Sequence, residues 1–113
     1  MQRDLLLLNE IIVAAERIIG LAAAIDAADP APDRDRIEAL LWNFTVLGEA
    51  SNQVSDEIKA DHPEIPWADP VRLRNRIVHG YWSADLDVLL STARDDLPAL
   101  LKSVRDTLEL LTP

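Results

Sequence analysis

Apolar residues recur every three or four positions through most of this chain, and nowhere do they alternate with period two for long enough to make a strand. That spacing asks for helices. From Asp4 to Asp26 it forms two interleaved stripes, Leu5, Leu8, Ile12, Ala15, Ile19, Ala22 and Leu7, Ile11, Ala14, Ile18, Leu21, Ile25. On a helical wheel the stripes together span roughly 200°, well beyond the ~100° that one core contact needs. Such a helix is either central, buried between neighbours, or it lays its second stripe on another subunit.

Prolines punctuate the remainder. Ala28 to Pro32 cannot continue a helix, because proline lacks the amide and clashes with the preceding turn. Asp33 is placed to N-cap a second helix running to about Asp61, with Ile37, Leu40, Leu41, Phe44, Leu47, Val54 and Ile58 in register. Gly48 inside it costs about 1 kcal/mol against alanine, a cost either tolerated or exchanged for a close helix approach. His62 to Trp67 is a second proline loop; Asp69 and Pro70 then supply the N-cap and first position of a short helix ending near His79, with Gly80 expected to close it in the left-handed conformation. Ser83 or Asp85 caps a last helix carrying Leu86, Leu89, Leu90, Ala93, Leu97 and Leu100, kinked or restarted at Pro98. The expected class is all-α, an antiparallel bundle of four to five helices, with the 113 residues forming one domain.

Composition narrows the chemistry. There is no cysteine, which excludes disulfide scaffolds, zinc fingers and thiol nucleophiles and favours a cytoplasmic setting. The run Leu5 to Leu8 is cut by Asn9 and Glu10, far short of the roughly 20 residues of a membrane span, so neither membrane insertion nor export is expected. Eleven basic against 20 acidic residues give a net charge of −9, which argues against a nucleic-acid partner unless positive charge is concentrated somewhere. It is concentrated. Between Asp69 and Asp85 no acid occurs, and Arg72, Arg74 and Arg76 give that stretch +3 with His79 neutral, leaving −12 on the rest of a chain whose total is −9. Focused charge of this kind can draw an anion to one helix; equally, the three arginines can pair with acids on neighbouring helices.

The segment Arg74-Asn75-Arg76-Ile77-Val78-His79-Gly80-Tyr81 sets a cation, an amide, an imidazole and a phenol within eight positions. Cleaving RNA by attack of its own 2′-hydroxyl needs a base for that hydroxyl, an acid for the departing 5′-oxygen and positive charge on the phosphorane. Arginine supplies only the last, whereas histidine, titrating at about 6.5, can move either proton. One histidine cannot readily do both, and His62 lies in another loop, so the economical arrangement is a symmetric dimer bringing two copies of His79 to one phosphate. Asn75 and His79 are four apart and share a helix face with Arg72 and Arg76, while Arg74 lies roughly 140° round from His79 and must either curl round or act across an interface. Taken alone, His79 is equally a core histidine satisfied at a helix end.

At these residues the chain resembles the HepT-like toxins of the HEPN superfamily, whose mark is arginine, four residues, histidine, any residue, tyrosine: Arg74, His79 and Tyr81, with Asn75 as the polar residue after the arginine. Gly48-Glu49-Ala50, the stretch Pro63 through Trp67, and the pair Leu97-Pro98 are similar to the family pattern as well. Arg72 departs from it, standing where the pattern has glycine. The resemblance implies a metal-independent ribonuclease, the toxin of a toxin-antitoxin pair, with Arg74 and His79 catalytic, Asn75 supporting, and the site at a homodimer interface. It further implies an RNA substrate such as tRNA or mRNA, contacted through its phosphates by Arg72 and Arg76, and an MntA-like nucleotidyltransferase antitoxin that transfers AMP to Tyr81. No cofactor is expected on this chain; ATP and magnesium would belong to the antitoxin. Tyr81 is otherwise an amphipathic residue packing beside Trp82.

Other leads are weaker. Asp85-Leu86-Asp87 looks like the acid pair of a nucleotidyltransferase but has no strands or glycine-serine turn around it, and reads as helix-start charge. Glu57 and Asp61 share a helix face without a facing carboxylate pair, and His62, near Asp61 and Glu64, has no second histidine with which to bind a metal. Trp42 and Trp67 are expected as core or loop anchors. The rival to catalysis is a helical dimer that binds a nucleotide, an RNA or an acidic protein through the arginine helix without cleaving anything.

Overall fold

A computed structural model of the chain describes residues 2–80 and 85–113. Helices α1 (Gln2–Ala23), α2 (Arg34–Gln53), α3 (Asp56–Asp61), α4 (Ala68–His79) and α5 (Leu86–Ser91) are followed by a π-helical turn (Thr92–Asp96) that runs into α6 (Leu97–Leu111), and no strand occurs among the described residues. The class is all-α. Helix α1 is the centre, with α2 on one side and α6 and the π turn on the other, while α4 packs on α2. The start of α1 meets the end of α2 through Arg3 and Gln53, and its second half meets α6 through Glu16 and Arg105, so both neighbours run antiparallel to it.

Both stripes of α1 are covered by the chain itself. Leu8, Ile12, Ala15 and Ala22 of one stripe and Ile11, Ala14, Ile18 and Ile25 of the other are all buried. The second stripe therefore needs no other subunit, and the large apolar residues α1 leaves exposed, Leu6 and Val13, belong to neither stripe. At its carboxyl end α1 has no basic residue of its own; the Arg94 guanidinium, on the π turn, donates to the carbonyls of Ala22 (2.9 Å) and Ile25 (2.8 Å).

The second helix stops earlier than its periodicity suggests. Asp33 caps α2 as expected, accepting from the amides of Asp35 and Arg36, but the chain leaves the helix at Val54 and Ser55 starts α3. The cause lies at the other end of the sequence. Asp4, 8% exposed, accepts from the Ser55 amide at 2.9 Å and from its Oγ at 2.8 Å. Burial pushes the Asp4 carboxyl up, but the two hydrogen bonds from Ser55 and the nearby Arg3 charge outweigh it, and the group sits below its ordinary value of 3.8. A depressed folded pKa contributes stability that is present above the unfolded value and lost as pH falls through the folded one. Asp4→Asn is accordingly expected to cost about 1–3 kcal/mol in urea unfolding at neutral pH, with the gap to the parent closing in acid as Asp4 protonates.

Three expectations about caps and tryptophans are corrected. Helix α4 begins at Ala68, so Asp69 and Pro70 lie inside its first turn, where amides have no intrahelical partner and a proline costs nothing. Gly80 ends α4 at φ −149° and ψ 45°, a negative φ that lies outside the left-handed region. Trp67 is the loop anchor foreseen, buried with its Nε1 donating to the His62 carbonyl at 3.0 Å, whereas Trp42 stands 66% exposed on the outer face of α2. Asp85 caps α5 by accepting from the Asp87 amide; Ser83 lies outside the described residues. The break caused by Pro98 appears upstream: its missing N–H leaves the helix ladder short, and the chain widens so that the Leu97 amide bonds to the Thr92 carbonyl five residues back.

Candidate active site

The acid-poor stretch is α4. Its inward edge is formed by buried Pro70 and Ile77 and half-buried Leu73, which leaves Asn75, Val78, His79, Arg72 and Arg76 exposed. Arg74 sits at the border facing α2. At ~100° per residue the outer face passes from Arg74 through Val78, Asn75 and His79 to Arg72 and Arg76.

What brings Arg74 to α2 is Gly48. A Cβ built on this glycine would lie 2.2 Å from the Arg74 Cβ and 2.6 Å from the Pro70 carbonyl oxygen, so the two helices approach to a distance that only glycine permits. The close approach anticipated as one reading of Gly48 is thus the one realised, and its partner is the motif arginine. Next to the glycine, Glu49 receives the Arg74 Nη2 at 3.1 Å, and on the other side Nη1 donates to the Asn75 Oδ1 at 2.8 Å. The guanidinium is therefore fixed between an acid and an amide and curls along its own helix. Its Nε is buried with no hydrogen-bond partner among the described residues. Glu49 is a site residue that chain-local reasoning overlooked; the signal was an acid directly after a glycine in a helix interior, one turn of packing away from an arginine helix.

His79 is not the satisfied core histidine that its sequence position allowed. It is exposed in the last turn of α4, four residues on from Asn75, and makes no hydrogen bond or ion pair among the described residues. Arg72 and Arg76 are on the far edge of α4 from Arg74. Arg72 pairs with Asp69 one turn earlier, and Arg76 has no partner among the described residues. Two of the three arginines thus do pair with acids, Arg74 across helices and Arg72 within α4. Arg72 points away from the Gly48 contact, so the departure from the family's glycine leaves the α2–α4 approach undisturbed. Tyr81 lies outside the described residues.

The remaining leads stay apart from α4. Glu57 and Asp61 are exposed on α3, and His62 closes that helix with its Nδ1 3.4 Å from Glu64 and 3.5 Å from the Thr107 hydroxyl. Among the described residues no three His, Asp or Glu side chains are grouped to hold a metal ion, and no helix is long and apolar enough to cross a membrane.

A helical bundle with one acid-poor helix, carrying an exposed histidine and a clamped arginine on its outer face, defines an all-α domain whose positive charge is focused on that helix. A family model described as Ribonuclease HepT-like matches residues 11–107, and the chain belongs to that family. It is 33% identical over 93 residues to a probable ribonuclease HepT of Thermococcus cleftensis, covering 82% of this chain and 84% of that one. It is also 27% identical over 97 residues to a protein of Methanocaldococcus jannaschii named as a candidate RNase, covering 86% and 89% of the two chains. A further candidate RNase, of Caldanaerobacter subterraneus, is 24% identical over 103 residues, with 91% and 88% covered. No solved structure matches the chain.

Proposed function

We propose that this member of the HepT-like ribonuclease family is a metal-independent endoribonuclease, the toxin of a toxin-antitoxin pair, acting at a site that α4 carries. The observation that carries the reading is His79: an exposed imidazole without a partner among the described residues, on a helix of an acidic chain whose single acid, Asp69, lies in its first turn. In this reading His79 moves a proton to or from the reacting oxygens, and Arg74, held by Glu49 and Asn75, offers its guanidinium to the phosphorane. Asn75 positions Arg74, and Arg72 and Arg76 meet flanking phosphates.

Two proton transfers and one histidine on α4 of each chain call for a second copy. Trp42 at 66% and Val78 at 50% exposure form an apolar face with Leu41, Thr45 and Ile77 directly beside Arg74 and Glu49. Because this face includes Val78 of α4, a two-fold dimer seated on it sets the two α4 helices along one seam. Trp42→Glu is expected to give a folded monomer with little nuclease activity; sedimentation equilibrium and circular dichroism on one sample check both halves, and a Trp42→Glu dimer removes this interface from the reading.

Neutralisation follows from the same charge balance. Transfer of AMP from ATP joins the Tyr81 oxygen to the α-phosphorus and releases pyrophosphate, placing a phosphodiester anion two residues from His79, where it would oppose RNA and offset the arginines. The reading as a whole is tested by incubating the partner-free protein with tRNA and total RNA in excess chelator. Attack by the 2′-hydroxyl leaves 2′,3′-cyclic phosphate and 5′-hydroxyl ends, and their appearance is the expected result. Intact RNA from protein whose mass shows an unmodified Tyr81 would instead favour a binding module.

A further inference from the structure

On the far edge of α4 from Arg74, a groove of about 350 Å³ opens between α4 and the π turn. Phe44, Leu73, Leu97 and Leu100 form its apolar walls, and Arg72, Arg76 and Asp96 stand at its rim. We propose that this groove is a nucleobase subsite, taking the base of a nucleotide that flanks the cut, with its phosphate on Arg76 and its amino edge on Asp96. The proposal rests on the reading that α4 meets RNA and adds to it the determinant of sequence preference.

Size and polarity suit one nucleotide. Ligand sites begin at about 300 Å³, and this groove is at the small end of that range. Its walls are apolar, as the faces of a base require, and guanidinium planes at the rim can stack on a base as well as bind phosphate. The charges at the rim are unequal in availability. Arg72 is tied to Asp69, whereas neither Arg76 nor Asp96 has a side-chain partner among the described residues. An unpaired guanidinium in a chain of net charge −9 is a place for an anion. An unpaired carboxylate across the groove accepts hydrogen bonds only, so it selects a base with N–H donors on its edge. Guanine, with a ring N–H beside an exocyclic amino group, matches a carboxylate best, and uracil, whose edge is mostly carbonyl, matches it least.

Placement links the groove to the chemistry. Arg76 and His79 are three residues apart on α4, so they lie within ~4.5 Å along the helix axis and ~60° around it. A strand with one phosphate at His79 would reach the groove with an adjacent nucleotide. The π turn, which supplies Asp96 and Thr92 to the wall, is the kind of helix irregularity that often accompanies a binding site.

The test is titration of the intact protein with GMP, AMP, CMP and UMP, followed by NMR, alongside mapping of cut sites in a mixed-sequence RNA. The expected order places GMP first and UMP last, and Asp96→Asn is expected to reduce the GMP preference on the order of tenfold. Arg76→Gln should weaken all four, and Val88→Trp, filling the groove from a partly exposed position, should abolish binding and flatten the cut pattern. Should Val88→Trp not fold, the two exposed polar variants decide the question alone. Nucleotide binding without RNA cleavage would uphold the groove and overturn the nuclease reading. Cleavage with a cut pattern and titrations untouched by Asp96→Asn and Arg76→Gln would uphold the nuclease and overturn the groove. If Val88→Trp instead lost only a protein partner, the groove would be that partner's and the proposal would fall.

Discussion

Gly48→Ala is expected to destabilise the protein by about 1–3 kcal/mol, although helix propensity alone predicts a gain of about 1 kcal/mol. The two effects have opposite signs, and distance decides between them. The new Cβ would sit 2.2 Å from the Arg74 Cβ and 2.6 Å from a backbone oxygen of Pro70, and a backbone atom cannot swing aside as a side-chain tip can. Helix α4 must therefore back away from α2, carrying Arg74 from Glu49. Gly20→Ala is the matched control, since nothing lies within 4 Å of a Cβ there and the position is exposed on α1. Urea unfolding of the pair should show Gly20→Ala more stable than the parent and Gly48→Ala less stable, with nuclease activity lost only in the second. A stabilised Gly48→Ala would mean that the helices do not meet as closely as described.

The second large effect concerns rate and leaves stability alone. His79→Ala should reduce RNA cleavage on the order of 10²-fold or more, the usual worth of a positioned general acid or base. Because His79 is exposed and unbonded among the described residues, its removal leaves no cavity and no orphaned group, and the unfolding midpoint should match that of the parent. Affinity for an RNA with a 2′-deoxy substitution at the cut site, which cannot react, should change only modestly. Cleavage that survives in His79→Ala would place the chemistry elsewhere, while affinity and cleavage falling together would make His79 a binding residue. Arg74→Lys is informative beside it: lysine keeps the charge but cannot bridge Glu49 and Asn75 with a planar fork, so a large loss there would trace to geometry.

The parts of this molecule that were legible in the sequence are those set by neighbours along the chain. Helix spacing, the Asp33 and Asp85 caps and the proline loops all follow from residues within a turn or two of each other. The parts that were not legible are set across the fold. Val54 and Ile58 continue the α2 register, so periodicity alone runs straight through a break that Asp4 imposes from about fifty residues away. The cap at α4 was misplaced because Pro70 is compatible with any position in a first turn. At the site, Arg74, Asn75 and His79 are visible as a spacing, but Glu49 becomes a partner only when Gly48 lets two helices touch. Trp42 was misjudged for a different reason: its size suggested an anchor, although it lies off the apolar register of α2 and stands 66% exposed.

Helix α1 also sets a timetable for the molecule's synthesis. Its first turn is completed by Ser55 and its last by Arg94, residues 51 and up to 72 positions further on. At about 5–20 residues per second, a ribosome needs on the order of 4–14 s to span the longer of those gaps. Through that interval the two apolar stripes of α1 are outside the ribosome or in its exit channel with only part of their cover. Helix α1 is thus made well before it is finished, since its carboxyl end waits for Arg94.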